Sequence, residues 1–343
     1  MSHKRYILPD MTSTRRFPVN ICANDVRLFE HELEKMIPAT FLTVHRDLMV
    51  SPGGILFRRT AVLPESFPVG RFDDFMSAKS RLSFLLRNSL FGRQPLCEND
   101  AVWVTDSWSN EYFHWITDAL PRLLALSEML TDPVLLLPGA YESIDYVVKS
   151  LTPFHLARVT FVRETCRCKH LSITSHTAPT GNYNDGLIMR LRDLFRAHFG
   201  ANDGNNYPSR VYISRGKALR RWISNEDECR RVLRDYGFTT IHFEEHTFDE
   251  QVRIAMNAEC MVSNHGAGLT NMLFMGEKGR VLELRRSGDA KNNCYFSLAS
   301  ALDLHYYYQL CESDTPGADT FTGNLIVDCD RLRANLELIT RHE

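Results

Sequence analysis

The sequence predicts an α/β protein made of two consecutive βα domains facing across a cleft, with a β-rich segment ahead of them. Three observations carry this. Strand and helix patterns alternate from Ala101 onward, the alternation restarts after the polar, glycine-bearing stretch Gly200–Pro208, and the second half holds two strand-to-turn junctions suited to an anion. The expected division is 1–95 for the β-rich segment packed on the first domain, 96–205 for the first βα domain, 206–312 for the second, and 313–343 for a closing strand and helix.

The opening segment mixes proline, glycine and short alternating runs such as Gly54–Leu63, which read as strands. Beyond it the pattern gives a strand at Ala101–Thr105, a helix at Asn110–Met129, a buried strand at Pro133–Leu137 and a helix at Tyr141–Leu151. Leu187, Leu191, Leu194 and Phe195 then mark an amphipathic helix before the linker. After the linker come strands at Val211–Ser214, Thr240–Phe243, Cys260–Ser263 and Arg280–Leu284. They are separated by helices at Asn225–Tyr236, Phe248–Asn257 and Leu269–Phe274, and the chain closes with strand Leu325–Asp328 and helix Arg331–Thr340.

Composition excludes several classes. With 343 residues, 44% hydrophobic content and a net charge of −2, the chain can bury two cores and lacks the basic excess of a nucleic-acid binder. No run approaches the ~18–20 apolar residues of a membrane span and no leader-like segment opens the chain, so a cytoplasmic protein is expected, with peripheral association at the inner face of the cell membrane left open. Nine scattered cysteines, an odd number, read as buried or free thiols rather than a disulfide framework. Cys166-Arg-Cys168 with His170 and His176 matches no common closed zinc spacing and is read as structural.

Positive charge is local. From Arg210 to Arg221 there are five cations and no acid, placed at a strand end where Arg215, Arg220 and Arg221 can bind a diphosphate in bidentate fashion; a solvated arginine face is the other reading. About fifty residues on, Asn264-His265-Gly266-Ala267-Gly268 opens the next helix with unpaired backbone N–H groups and room for close approach. Either junction alone is weak evidence, and together they read as a diphosphate site. Glu283, at the end of the following strand, stands where an acid can accept ribose hydroxyls, or is an ordinary strand-end glutamate. In the first half His114 and Asp118, four residues apart on one helix, form a candidate base and its orienting carboxylate, with a core histidine as the alternative. Pro121 is expected to kink that helix just past Asp118. Asp328-Cys-Asp330 has the form of a metal-holding D-x-D, but between a strand and a helix Asp330 is expected to be an N-cap, so no metal site is assigned.

Taken together, Tyr112–Leu123, Tyr212–Arg215 with Arg220–Glu226, and Val262–Phe274 followed by Val281–Glu283 resemble glycosyltransferase family 61, over roughly Val102 to Leu284. The resemblance implies a GT-B fold of two Rossmann-like domains, the nucleotide held by the second and the acceptor presented by the first. It further implies an inverting transfer that needs no divalent metal and no cofactor. The expected activity is transfer of a sugar from a nucleotide-diphosphate donor, a UDP-sugar by preference, to a hydroxyl of a glycan or lipid-linked glycan. Because the family's eukaryotic members usually begin with a membrane anchor, a bacterial enzyme of surface polysaccharide synthesis is expected. A non-catalytic glycan- or nucleotide-binding relative and a nucleotide-sugar epimerase are the alternatives.

Overall fold

The computed structural model describes the chain except residues 1–2, 90–94, 128, 201–205, 219, 316, 318–322 and 342–343. Contacts divide it into two compact units, Met1–Met11 with Ile37–Thr180 and Thr12–Met36 with Gly181–Glu343.

The first unit is built on an eight-stranded mixed sheet. Leu96–Trp103, Val134–Pro138, Arg158–Val162 and Cys166–Thr174 run parallel, and Cys166–Thr174 lies between Leu96–Trp103 and the antiparallel strand Thr40–Val50. The β-rich N-terminal strands therefore continue the sheet instead of packing on it as a separate layer. The physical reason is a shared core: Leu48, Val50 and Leu56 bury against Trp103, Leu136, Leu171 and Ile173. Burial of each such side chain contributes roughly 1.5–3 kcal/mol, a gain that a detached hairpin layer would forgo. Arg158–Val162 and Cys166–Thr174 were not foreseen, because their charged and polar residues obscure the apolar alternation.

The second unit carries a six-stranded sheet in the order Thr239–Ile241, Arg210–Ile213, Cys260–Asn264, Arg280–Arg286, His305–Ser313, Leu325–Ile326, parallel except for the last strand. Cys260–Asn264 is buried at every position, as a strand covered on both faces must be. Helices Glu226–Asp235, Phe248–Asn257 and Cys294–Ala301 and the 3₁₀ segment Ala267–Phe274 make the crossovers. Thr247 and Glu250 form a capping box that fixes where the second of these helices starts. This is a Rossmann-like α/β arrangement.

Two boundaries differ from the sequence reading. Helix Asp185–Phe199 belongs to the second unit, because Phe195 and Phe199 pack on Phe248 and Phe195 also meets Phe274. The division thus falls at Thr180–Gly181 rather than at the expected linker, of which residues 201–205 lie outside the described residues. Residues 313–343 are not a separate closure either: Leu332, Leu336 and Ile339 of helix Cys329–Thr340 share a core with Val262 and Leu282.

Candidate functional site

In the second unit the five parallel strands, numbered along the chain, lie in the order 2-1-3-4-5, so the connections diverge between the first and the third. Open sheets of this kind bind ligands outside the carboxyl ends of the strands flanking that switch point. Here those strands are Arg210–Ile213 and Cys260–Asn264, and the residues that follow them are Ser214-Arg215-Gly216 and His265-Gly266-Ala267.

The strand ends are held firmly. Ser214 Oγ donates to Glu226 Oε1 at 2.6 Å and accepts the Gly216 N–H at 3.0 Å, while Tyr212 OH also donates to Glu226 Oε1 at 2.8 Å. Asn264 Nδ2 donates to the Arg221 carbonyl at 2.5 Å, fixing Arg221 in the left-handed region at φ 60°. A non-glycine residue there costs on the order of 1 kcal/mol, a strain kept only where the surroundings impose it.

Arg215 and Arg221 are both half-buried, each has a buried Nε with no hydrogen-bond partner, and neither forms an ion pair with a carboxylate among the described residues. Burial first, then repulsion from Arg221, push the Arg215 guanidinium below its ordinary value against the opposing pull of Tyr295 and Glu244. Burial likewise lowers Arg221, opposed by Tyr295 and reinforced by Arg220. Two like charges this close, with no carboxylate partner among the described residues, would be relieved by an anion. The unpaired N–H groups at the start of Ala267–Phe274 add to it.

Some expectations are corrected. Gly266 makes room for Arg215 rather than directly for a phosphate: a Cβ there would collide with the Arg215 guanidinium. Gly268 packs on Ile213, whose Cγ2 a Cβ would approach to 3.0 Å. Arg220 points to solvent, and its carbonyl accepts Arg215 Nη2 at 3.3 Å. Glu283 is mid-strand and wholly buried, with one oxygen 2.5 Å from His265 Nδ1 and the other accepting from Tyr306 OH at 2.5 Å, so the carboxylate presents no surface to a ribose. Burial alone would raise the Glu283 carboxyl, but His265, Arg285 and Tyr306 together hold it below its usual range. Its place is behind His265, which it orients. Tyr295, stacked edge-on to His265 with ring centroids 5.0 Å apart, was missed because no sequence pattern marks the start of its helix.

The first unit repeats the logic at the carboxyl ends of Leu96–Trp103 and Cys166–Thr174. His114 Nδ1 lies 2.8 Å from Asp118 Oδ2, which also accepts from Thr180 Oγ1 at 3.2 Å. Asp118 is buried and the His114 side chain is 20% exposed, which leaves Nε2 the ring nitrogen not engaged by the carboxylate. Where Pro121 was expected to kink it, the helix is irregular. It contains a π turn over Trp115–Ala119, with the Leu120 N–H donating to the Trp115 carbonyl, and regular helix resumes at Leu120–Ser127. Such turns gather at functional sites.

Beside this pair stand Asp106 and His176, joined at 2.8 Å between Oδ2 and Nε2, and the buried Arg122, whose Nε donates to the Thr174 carbonyl at 2.9 Å. Burial and then Arg122 push His176 below its ordinary value against Asp118 and Asp106. Burial likewise brings Arg122 down to about 10, with Asp106, Asp118 and Glu65 opposing. The thiols of Cys166 and Cys168 face the core, and His170 pairs with Asp100, so the zinc pattern does not converge. Asp328, not Asp330, is the N-cap of the last helix, its Oδ1 accepting the N–H groups of Asp330 and Arg331 at 3.0 Å each.

Comparison with known proteins agrees with these motifs. The sequence model of the family described as Glycosyltransferase 61 matches residues 112–282. Curated relatives include the EGF domain-specific O-linked N-acetylglucosamine transferase of Bos taurus, 31% identical over 134 residues (37% of this chain, 25% of the relative). The mouse protein of that name, from Mus musculus, is 32% identical over 134 residues, again 37% and 25% of the two chains. That of Drosophila melanogaster is 33% identical over 99 residues, 28% of this chain and 18% of the relative. The match therefore spans about a quarter or less of the relatives' length. The match begins at Tyr112, two residues before His114, and ends within the strand that carries Glu283. Residues 112–282 of this chain are thus similar to a glycosyltransferase family 61 domain.

Proposed function

We propose that the protein transfers a sugar from a nucleoside-diphosphate donor to a hydroxyl of a glycan or glycan-bearing acceptor, by single displacement with inversion. The observation that carries the reading is the pair Arg215 and Arg221, half-buried and without carboxylate partners among the described residues, at the switch point of a Rossmann-like sheet. In this mechanism the acceptor oxygen attacks the anomeric carbon as the bond from that carbon to the β-phosphate oxygen breaks. The acceptor proton passes to His114 Nε2, and Asp118 stabilises the imidazolium through Nδ1–H. The two guanidiniums and the N–H groups near Gly266–Gly268 take up the charge on the departing diphosphate, the role a divalent metal plays elsewhere. Asn264 and His265 support this pair from behind. UDP as the nucleotide, metal independence and the GT-B placement of donor and acceptor belong to the same proposal. The named relatives are animal proteins, and a bacterial source and surface-polysaccharide role form no part of this proposal.

The test is release of nucleoside diphosphate when a panel of nucleotide sugars is mixed with glycan acceptors in the presence of chelator. His114→Ala should lower kcat about 10²–10⁴-fold with donor affinity nearly unchanged. Asp118→Asn should cost less if Asp118 only orients the ring. Normal turnover in both variants would remove the pair from the chemistry, and donor turnover without acceptor would favour an epimerase.

A further inference from the structure

The first unit holds a second histidine–carboxylate pair that the proposed reaction does not use, and its contacts lead back to His114. Asp106 follows the strand Leu96–Trp103 and is buried. Its Oδ1 accepts the Trp108 N–H at 2.9 Å and the Ser109 hydroxyl at 3.1 Å, while its own N–H donates to Ser109 Oγ at 2.9 Å. Those bonds close a tight turn at residues 106–109. The other carboxylate oxygen, Oδ2, is taken by His176 Nε2. The turn carries Trp108, whose ring lies against the imidazole of His114 with centroids 4.9 Å apart and planes at 33°. Phe113 meets the same imidazole edge-on at 5.1 Å. Trp108 is itself backed by Phe75 at 6.1 Å and by the Arg71 guanidinium at 5.7 Å.

We propose that Asp106, clamped by His176, is a positioning residue for the base, folding the turn that lays Trp108 over the His114 ring. This rests on His114 being the base. An imidazole hydrogen-bonded at Nδ1 alone can still swing about its side-chain torsions. A proton acceptor displaced by about 1 Å loses on the order of 10²-fold in rate. The indole removes that freedom, so that Nδ1 stays on Asp118 and Nε2 stays presented. Asp106 suits the task because one carboxylate satisfies the turn and His176 together, and a neutral His176 can hold it as an N–H donor.

The experiment is a double-mutant cycle on kcat at saturating donor. Trp108→Ala and Asp106→Ala should each lower kcat about 10–100-fold with donor affinity and far-ultraviolet circular dichroism unchanged. Asp106→Asn should restore most of the rate, since its amide oxygen still accepts from Trp108 and Ser109. In the His114→Ala background Trp108→Ala should cost nothing further, because its effect runs through the missing ring. Additive losses, or a Trp108→Ala enzyme with full turnover, would overturn the assignment while leaving His114 as base. Full turnover in His114→Ala alone would instead defeat the base assignment itself. If Asp106→Ala fails to fold, the Trp108 arm decides.

Discussion

Replacing Arg215 with methionine should do two things at once: weaken diphosphate binding and make the ligand-free protein more resistant to heat. Arg215 and Arg221 are like charges close together, and burial and their mutual repulsion both act against the charged form of Arg215. Methionine keeps much of the stem volume beside Gly266 and removes the charge, so the ligand-free fold should gain roughly 1 kcal/mol. With ligand the sign reverses. One charge-assisted contact is worth about 2 kcal/mol, a loss of roughly thirtyfold in affinity. At UDP one hundred times above the wild-type Kd, binding stabilises the wild type by ~2.7 kcal/mol. The same concentration is then only about three times the variant's Kd and stabilises it by ~0.8 kcal/mol. At about 1–2 °C per kcal/mol for 343 residues, the UDP-induced rise in Tm should fall from ~3–5 °C to ~1–2 °C, while the ligand-free Tm rises by ~1–2 °C. Thermal denaturation with and without UDP reads both numbers. An undiminished UDP shift, or a ligand-free Tm several degrees below wild type, would refute the argument and make Arg215 a structural residue.

Two other predictions concern stability. Asp328→Ala should lower stability by about 0.5–2 kcal/mol through loss of the helix cap, Asp328→Asn should be nearly neutral, and both should turn over donor normally; a collapse of turnover with intact Tm would restore a ligand role to Asp328. His45 and His176 are both held below their ordinary values, chiefly by burial. Their unfolded forms take up protons near pH 6.5 and their folded forms only at lower pH, so the unfolded state binds more protons in between. Stability from this source is complete above about pH 6.5 and declines on acidification, and Tm measured from pH 7.5 to 5 should fall less in His176→Gln than in wild type. A Tm that rises on acidification would contradict the sign.

The second unit was legible because its parallel strands are continuous apolar runs and its ligand-facing turns carry arginine and glycine in a recognisable order. The strand Cys260–Asn264 and the residues after it are where their pattern placed them. The two readings of Glu283 stay open in the sequence because a sequence does not say how deep a carboxylate lies, and at full burial its partners decide its role. His114 with Asp118 was found from helical spacing, and the spacing survived the π turn. Asp106, Trp108, Arg122 and His176 were not assigned to the site. They come from a turn, a helix and a second strand end, and only the pairing of Leu96–Trp103 with Cys166–Thr174 makes neighbours of Asp106 and His176. Proximity across a sheet leaves no local trace in the chain.

The interleaving of the two units sets an order of events during synthesis. Residues 12–36 belong with 181–343, so the second unit is not one contiguous stretch and a cut at 180 would leave it incomplete. Phe29 is wholly buried against Phe296 and Tyr308, with Arg285 over its ring. The ribosome makes Phe29 some 267 residues before Phe296 (296 − 29), a wait of roughly 13–53 s at about 5–20 residues per second. For that interval Phe29 is without its partners while the first unit assembles downstream of it. A chaperone-binding or aggregation-prone window early in the chain's life follows from the threading itself, and moving 12–36 to the C-terminal side by circular permutation would close it.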